Sequence, residues 1–182
     1  MKQFKKHVPF HLYLDDEIYF ITSRTLDLIK YFDSVEKLQM LLKCIEEAVN
    51  KYKMNLYAYV ILYNHYHLLI KIFKGKELED FIRYIHGKSG RLIKNWNVKP
   101  SRIDCKSVWW NYWDNCIRDK NTFYKRINYI HHNPVKHGYV SKMKDYQFSS
   151  FNTYIKKYGQ EFVEDMFRQY PIVDYTDKND NF

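Results

Sequence analysis

The spacing of apolar positions along the chain predicts a definite succession of elements. Residues 17–25, EIYFITSRT, are rich in aromatic and β-branched side chains and predict a strand. In 33–52, DSVEKLQMLLKCIEEAVNKY, the residues Leu38, Leu41, Leu42, Ile45 and Val49 recur at helical spacing. Asp33 stands where a helix cap is expected, and Glu36 where a capping box has its acid. The β-prone run 55–72 is too long for one typical strand. Tyr63-Asn64 is the expected break, because Asn tolerates turn geometry; the result is a hairpin of 56–62 and 65–72. Residues 76–96 predict a basic amphipathic helix with a potential interruption from Gly87 to Gly90. Residues 106–119, with Trp109, Trp110 and Trp113, predict another strand, and 121–134 a helix that Pro134 ends. Strand, helix, hairpin, helix, strand, helix is close to a ferredoxin-like βαββαβ order. The expected class is α+β, an antiparallel sheet with helices on one face.

Composition narrows the function classes. At 182 residues the chain is expected to form a single domain, 1–182, with a proper core. Aromatic residues make up 19%, with only 5 Gly and 4 Pro, which excludes a disordered or fibrous chain. No stretch approaches a membrane-spanning run, so no membrane partner is expected, and the N-terminal residues lack the apolar core of a signal peptide. Cys44, Cys105 and Cys116 form no CxxC pair, which argues against a disulfide framework or zinc ribbon and suits a reducing cytoplasm.

Charge changes the picture further. The formal charge of +9 favours a polyanionic partner. Residues 81–102 hold Arg83, Lys88, Arg91, Lys94, Lys99 and Arg102 with no acid, whereas six acids from Glu161 onward face only Arg168 and Lys178. A basic body with an acidic tail is a pattern of nucleic-acid binders; a solvated helix face is the bland alternative. The "GKS" at 87–89 lacks the glycine that a phosphate loop needs five residues earlier, where Ile82 stands.

The candidate chemistry lies in ILYNHYHLLIKI, 61–72. His65 and His67, two apart on a strand, share a face and can offer two imidazole nitrogens to one cation. Alone, the pair reads first as one core and one surface histidine. On the 121–134 helix the apolar stripe is Phe123, Ile127 and Ile130. Tyr129 falls about 130° from its centre, with Asn133 a turn later and Arg126 a turn earlier. That spacing predicts Tyr129 outside the core. A phenol, an amide and a guanidinium on one face suggest phosphoryl chemistry.

Taken together, YAYVILYNHYHLLI (57–70), WWNYWDNCIRD (109–119), YIHHNPVKHGYV (129–140) and YQFSS (146–150) resemble the single-tyrosine HUH transposases. The similarity is greatest to the REP-associated tyrosine transposases, relatives of insertion-sequence enzymes that move single-stranded DNA. It runs over about residues 10–150; an acidic extension, about 155–182, lies outside the matched motifs. Many members have proline before the asparagine of the histidine motif, where this chain has Tyr63.

The resemblance implies an HUH endonuclease fold, Mg²⁺ or Mn²⁺ held by His65 and His67 with Asn133 as third ligand, and Tyr129 as nucleophile. Attack by Tyr129 would leave a 5′-phosphotyrosine and a free 3′-OH, so rejoining would need no nucleotide cofactor. Arg83, Lys88, Arg91 and Lys94 on the basic helix, with Arg126, are the candidate contacts to single-stranded or hairpin DNA. Trp109, Trp110 and Trp113 could stack bases, although core packing is favoured for at least two of them. A replication or mobilisation nickase, or a catalytically silent DNA-binding module, are the competing readings. The expected partners are DNA and, at most, a second copy of the chain, as monomer or homodimer, in a cytoplasmic, nucleoid-associated setting.

Overall fold

Four strands pair antiparallel in the order β2-β3-β1-β4, the strand order of two interleaved βαβ units: β1 (Glu17–Thr25), β2 (Asn55–Ile61), β3 (His65–Ile72) and β4 (Trp109–Ile117). The computed structural model describes residues 13–96 and 107–173. Lys99, Arg102, Cys105, Asp174, Asp177, Lys178 and Asp180 therefore lie outside the described residues. The helices are α1 (Val35–Lys51), α2 (Glu77–Lys94), α3 (Lys120–Lys136), α4 (Phe151–Tyr158) and α5 (Gln160–Gln169). The hairpin breaks where expected: β2 ends at Ile61, β3 starts at His65, and Leu62 N donates to His65 O at 2.8 Å.

Local details differ from expectation in three helices. Ser34, not Asp33, caps α1, its hydroxyl accepting from Lys37 N at 3.4 Å. Glu36 accepts from that hydroxyl, and Asp33 instead pairs with Lys37 Nζ at 2.6 Å. Helix α2 runs unbroken through Gly87 and Gly90. Each glycine costs about 1 kcal/mol against alanine, but Leu78, Phe81, Ile82, Ile85 and Ile93 of the same helix are buried, and packing outweighs propensity. Helix α3 continues past Pro134 to Lys136. Proline has no N–H to give and its ring crowds the carbonyl one turn back, but only the last two residues of the helix follow it, and His137 N to Asn133 O (3.0 Å) and Tyr139 N to Pro134 O (2.9 Å) close the end.

The sheet is covered on both faces. Alternation along a strand sends Tyr66 and Ser23 to the side of α2, where both bond His86, and sends His67 and Thr22 to the opposite side, towards α3. Helices α1 and α2 pair on the first face as a ferredoxin-like order requires; α3, backed by α4 and α5, closes the second. This explains why the central strands are buried almost throughout instead of alternating. The segment before α4 lies along β2: Val60 bridges Ser149, Ile61 N donates to Phe148 O (2.9 Å) and Ser150 N to Tyr59 O (3.0 Å). Ser150 Oγ also meets the buried His131 of α3 at 2.9 Å. On the far side of α3, Asn128 Nδ2 donates to Met166 O and Tyr170 O, seating α5 and the turn after it. No helix among the described residues is long and apolar enough to cross a membrane.

Candidate functional site

His65 and His67 leave β3 on the same face with ring centroids 5.2 Å apart, and both are fully buried. An oxygen meets the Nδ1 of each ring: Asn64 Oδ1 lies 2.8 Å from His65 Nδ1, and Thr22 Oγ1 lies 2.8 Å from His67 Nδ1. Asn64 is itself anchored through Nδ2 to Leu28 O at 3.2 Å. Because Asn64 Oδ1 can only accept, His65 Nδ1 carries the proton and Nε2 keeps a lone pair. That lone pair lies 3.3 Å from the Asn133 side-chain amide, whose oxygen can serve a cation beside the ring. An outer oxygen on Nδ1 is what a ligating histidine usually has.

The residues therefore fit a divalent ion. Among the described residues, no three His, Cys, Asp or Glu side chains are grouped as a metal site. The arrangement thus depends on the Asn133 amide oxygen beside the two imidazoles. Burial above all drives both imidazoles well below the usual histidine range. His67, His137 and Lys136 push His65 the same way against its Asn133 contact; His137, Arg126 and Lys136 do so for His67. Neutral imidazole is the form that binds metal.

Helix α3 brings Tyr129 to the pair, its ring edge-on to His67 at 5.4 Å and to Phe20 at 6.0 Å. Tyr129 is only 1% exposed, which corrects the expectation of a tyrosine outside the core. Its face of α3 lies against β1 and β3 at the histidine pair, while the Phe123 and Ile127 side packs elsewhere in the same core. Arg126 sits with its guanidinium 4.2 Å over Phe20, whose ring also stacks on His67 at 5.4 Å. Four of the expected site residues, His65, His67, Asn133 and Tyr129, thus converge, with Arg126 at the edge.

The α2 cations are elsewhere and are divided. Arg83 is ion-paired with Glu79 and Asp80, both at 2.5 Å, and Lys88 with Glu47 of α1. The stretch is acid-free in sequence but not in space. Arg83, Arg91 and Lys94 line an open groove of about 670 Å³ between α2 and β4, with Trp110 on its wall. Trp109 is buried, stacked on His86 at 4.6 Å, whereas Trp110 and Trp113 are half-buried and Arg24 lies 5.2 Å over Trp113. Only one tryptophan of the cluster is core, fewer than expected.

Four neighbours of the site join it, most from positions that local sequence does not single out. Thr22 and Phe20 come from β1 and carried no local signal. His137, whose ring lies 5.0 Å from His65, follows the end of α3. Lys136, with Nζ 5.2 Å over the Tyr129 ring, did carry one: seven residues on from Tyr129, it shares its helical face.

A family model for IS200-like transposases matches residues 24–133, a span that includes both histidines, Tyr129 and Asn133. The chain is 28% identical to a candidate REP-associated tyrosine transposase of Haemophilus influenzae, over 61% of this chain and 66% of that protein. It is 29% identical to the REP-associated tyrosine transposase of Escherichia coli, over 63% of this chain and 64% of that protein. The match thus spans just under two thirds of these relatives' length. Its fold is similar to a REP-associated tyrosine transposase solved bound to a REP hairpin, with a TM-score of 0.68 and 21% identity, covering 86% of this chain and 87% of that one. A tRNA(His) guanylyltransferase from Saccharomyces cerevisiae shares the fold more loosely, with a TM-score of 0.51 and 14% identity over 90% of this chain and 75% of that one. One architecture here accompanies different chemistries, so function has to be argued from the site.

Proposed function

The chain belongs to the IS200-like transposase family, and on that premise we propose that it cuts and rejoins single-stranded DNA beside hairpins through a covalent bond to Tyr129. The observation that carries this reading is the meeting of Tyr129 with His67 at 5.4 Å, beside a buried His65–Asn133 contact of 3.3 Å. In the proposed reaction the phenol oxygen attacks the scissile phosphorus and loses its proton, and the bond to the 3′-oxygen breaks, that oxygen leaving as a hydroxyl. The product is a 5′-phosphotyrosine that a second 3′-OH can reverse, so bond energy is kept in the adduct.

His65, His67 and Asn133 would hold Mg²⁺ or Mn²⁺. When bound, the ion supplies charge stabilisation and in-line orientation of the phosphodiester. Thr22 and Asn64 fix the two rings, and Arg126 offers a guanidinium to the phosphate. Groove residues Arg91 and Lys94, with Arg83 and Trp110, would follow the strand and stack an unpaired base, whereas Lys88 is turned towards Glu47. Hairpin DNA is favoured as substrate because a relative of the same fold is described bound to a REP hairpin.

Wild-type protein, Mn²⁺ and a 3′-labelled hairpin with single-stranded flanks should give a label-bearing protein band that survives denaturation. Tyr129→Phe should bind the same DNA and give no band. A band from the Phe variant, or an adduct mapped to another tyrosine, refutes the nucleophile. A wild type that binds but never forms an adduct is a silent DNA-binding module. One that cleaves but never rejoins is a nickase.

A further inference from the structure

The two charged side chains that flank Tyr129 on its face of α3, Arg126 and Lys136, are both basic. Helix α3 presents Arg126, Tyr129, Asn133 and Lys136 at spacings of three, four and three, one continuous face. Arg126 flanks Tyr129 on one side through Phe20, at 4.2 Å from that ring, and Lys136 on the other, at 5.2 Å from the Tyr129 ring. The groups acting most strongly on His65 and His67 by charge are His67, His137, Arg126 and Lys136, all basic. The three candidate ligands themselves, two imidazoles and an amide, are neutral.

Such a site is poor for a bare divalent ion. Its neutral donors supply no countercharge, and two permanent cations nearby repel the ion. An anion that binds both the ion and the cations reverses the balance, and the phosphate of a DNA strand lying beside Tyr129 is that anion. We propose that Lys136 is a phosphate-binding residue of this site, and that with Arg126 it makes the metal and the DNA phosphate bind as a linked pair. The proposal rests on the metal-site reading above. It assigns Lys136 a role separate from fixing the helix: half-buried at the last turn of α3, it reaches the reacting region by its charge.

The linkage has a sign that a structural role would not produce. Removing the Lys136 charge should strengthen metal binding to the free protein while weakening DNA binding. The test uses Tyr129→Phe protein, which keeps the ring under Lys136 and forms no adduct. Mn²⁺ is titrated by electron paramagnetic resonance with and without a hairpin oligonucleotide. DNA should raise Mn²⁺ affinity at least about fivefold, and Mn²⁺ should raise DNA affinity by the same factor. Adding Lys136→Gln should raise Mn²⁺ affinity without DNA, reduce the coupling factor, and lower the slope of log affinity against log salt by about 0.7, one single-strand phosphate contact. Lys136→Arg should preserve coupling and slope. Equal Mn²⁺ affinity with and without DNA, a Gln variant that binds Mn²⁺ more weakly, or an unchanged salt slope overturns the proposal. Mn²⁺ binding unaffected by His67→Ala, or absent in every sample, refutes the metal reading instead, and the salt slope still decides whether Lys136 touches phosphate.

Discussion

Two sets of histidines are buried in this molecule, and they are buried in different ways. His86 of α2 and His131 of α3 each sit alone among hydroxyls and aromatic rings. His86 Nε2 meets Ser23 Oγ at 2.8 Å and Tyr66 OH at 3.0 Å, with Trp109 stacked at 4.6 Å; His131 Nε2 meets Ser150 Oγ. His65 and His67 are as deeply buried, but they face each other, an amide oxygen, a third imidazole and two cations. Burial therefore does not separate a core histidine from a ligand. What separates them is whether the inner nitrogen meets a hydroxyl or lies among other groups able to ligate a metal.

The largest expected effect comes from deleting one ring of each kind. His67→Ala should abolish Mn²⁺ binding and cleavage, whatever its effect on stability. His86→Ala should lose about 2–4 kcal/mol of stability through its cavity and the stranded Tyr66 hydroxyl, while the folded fraction keeps its Mn²⁺ affinity. Denaturant unfolding and Mn²⁺ titration of both variants check this; loss of metal affinity in His86→Ala would erase the distinction.

A gentler comparison removes one oxygen behind each ring. Thr22→Val takes away the partner of His67 Nδ1 and should weaken metal binding by about 10- to 100-fold with the fold intact. Ser23→Ala takes away one partner of His86, and should cost about 1 kcal/mol of stability with no change in metal binding. Equal metal affinities in the two variants would mean that Thr22 does not set the ring.

The most gradual effect is a slope. Burial pushes His86 and His131 down to about 3. In the unfolded chain each takes up a proton as pH falls through about 6.5, while the folded chain resists until about 3. Their stabilisation is whole above the unfolded value and is lost as pH falls from there towards 3, at about 1.4 kcal/mol per pH unit for each. Denaturant titrations between pH 7 and 5 should find metal-free protein weakening on acidification, and His86→Gln should flatten that slope by one histidine's share.

Much of this was legible from the residues because strands and helices announce themselves by period. The alternation His65, His67 against Tyr66, Leu68 placed both imidazoles on one face, and helical spacing put Asn133 and Arg126 beside Tyr129. The burial of Tyr129 was not legible. A stripe read from Phe123, Ile127 and Ile130 assumes one buried face, whereas α3 lies between the sheet and α5 and buries residues all round: Arg126, Asn128, Tyr129, His131 and Asn133 besides Ile127 and Ile130. Nor could sequence reveal that Glu47, on another helix, neutralises Lys88 of an acid-free stretch, whereas the spacing of Glu79 and Asp80 to Arg83 is readable once the helix is assigned. Charge runs report composition along the chain; ion pairs report neighbours across it.

The segment that runs from Phe148 to Ser150 beside β2 has a consequence for how the molecule behaves in company. As an outermost strand, β2 would otherwise offer its backbone donors and acceptors to the strands of other molecules, a template for aggregation. Ser149 and Ser150 occupy that margin, with Tyr59 N donating to Ser150 Oγ at 3.0 Å. The same Ser150 oxygen holds His131, two residues from Tyr129 on α3. Loosening this short seal would therefore do two things together: expose a sticky edge, and slacken the strut that holds the tyrosine helix against the histidines.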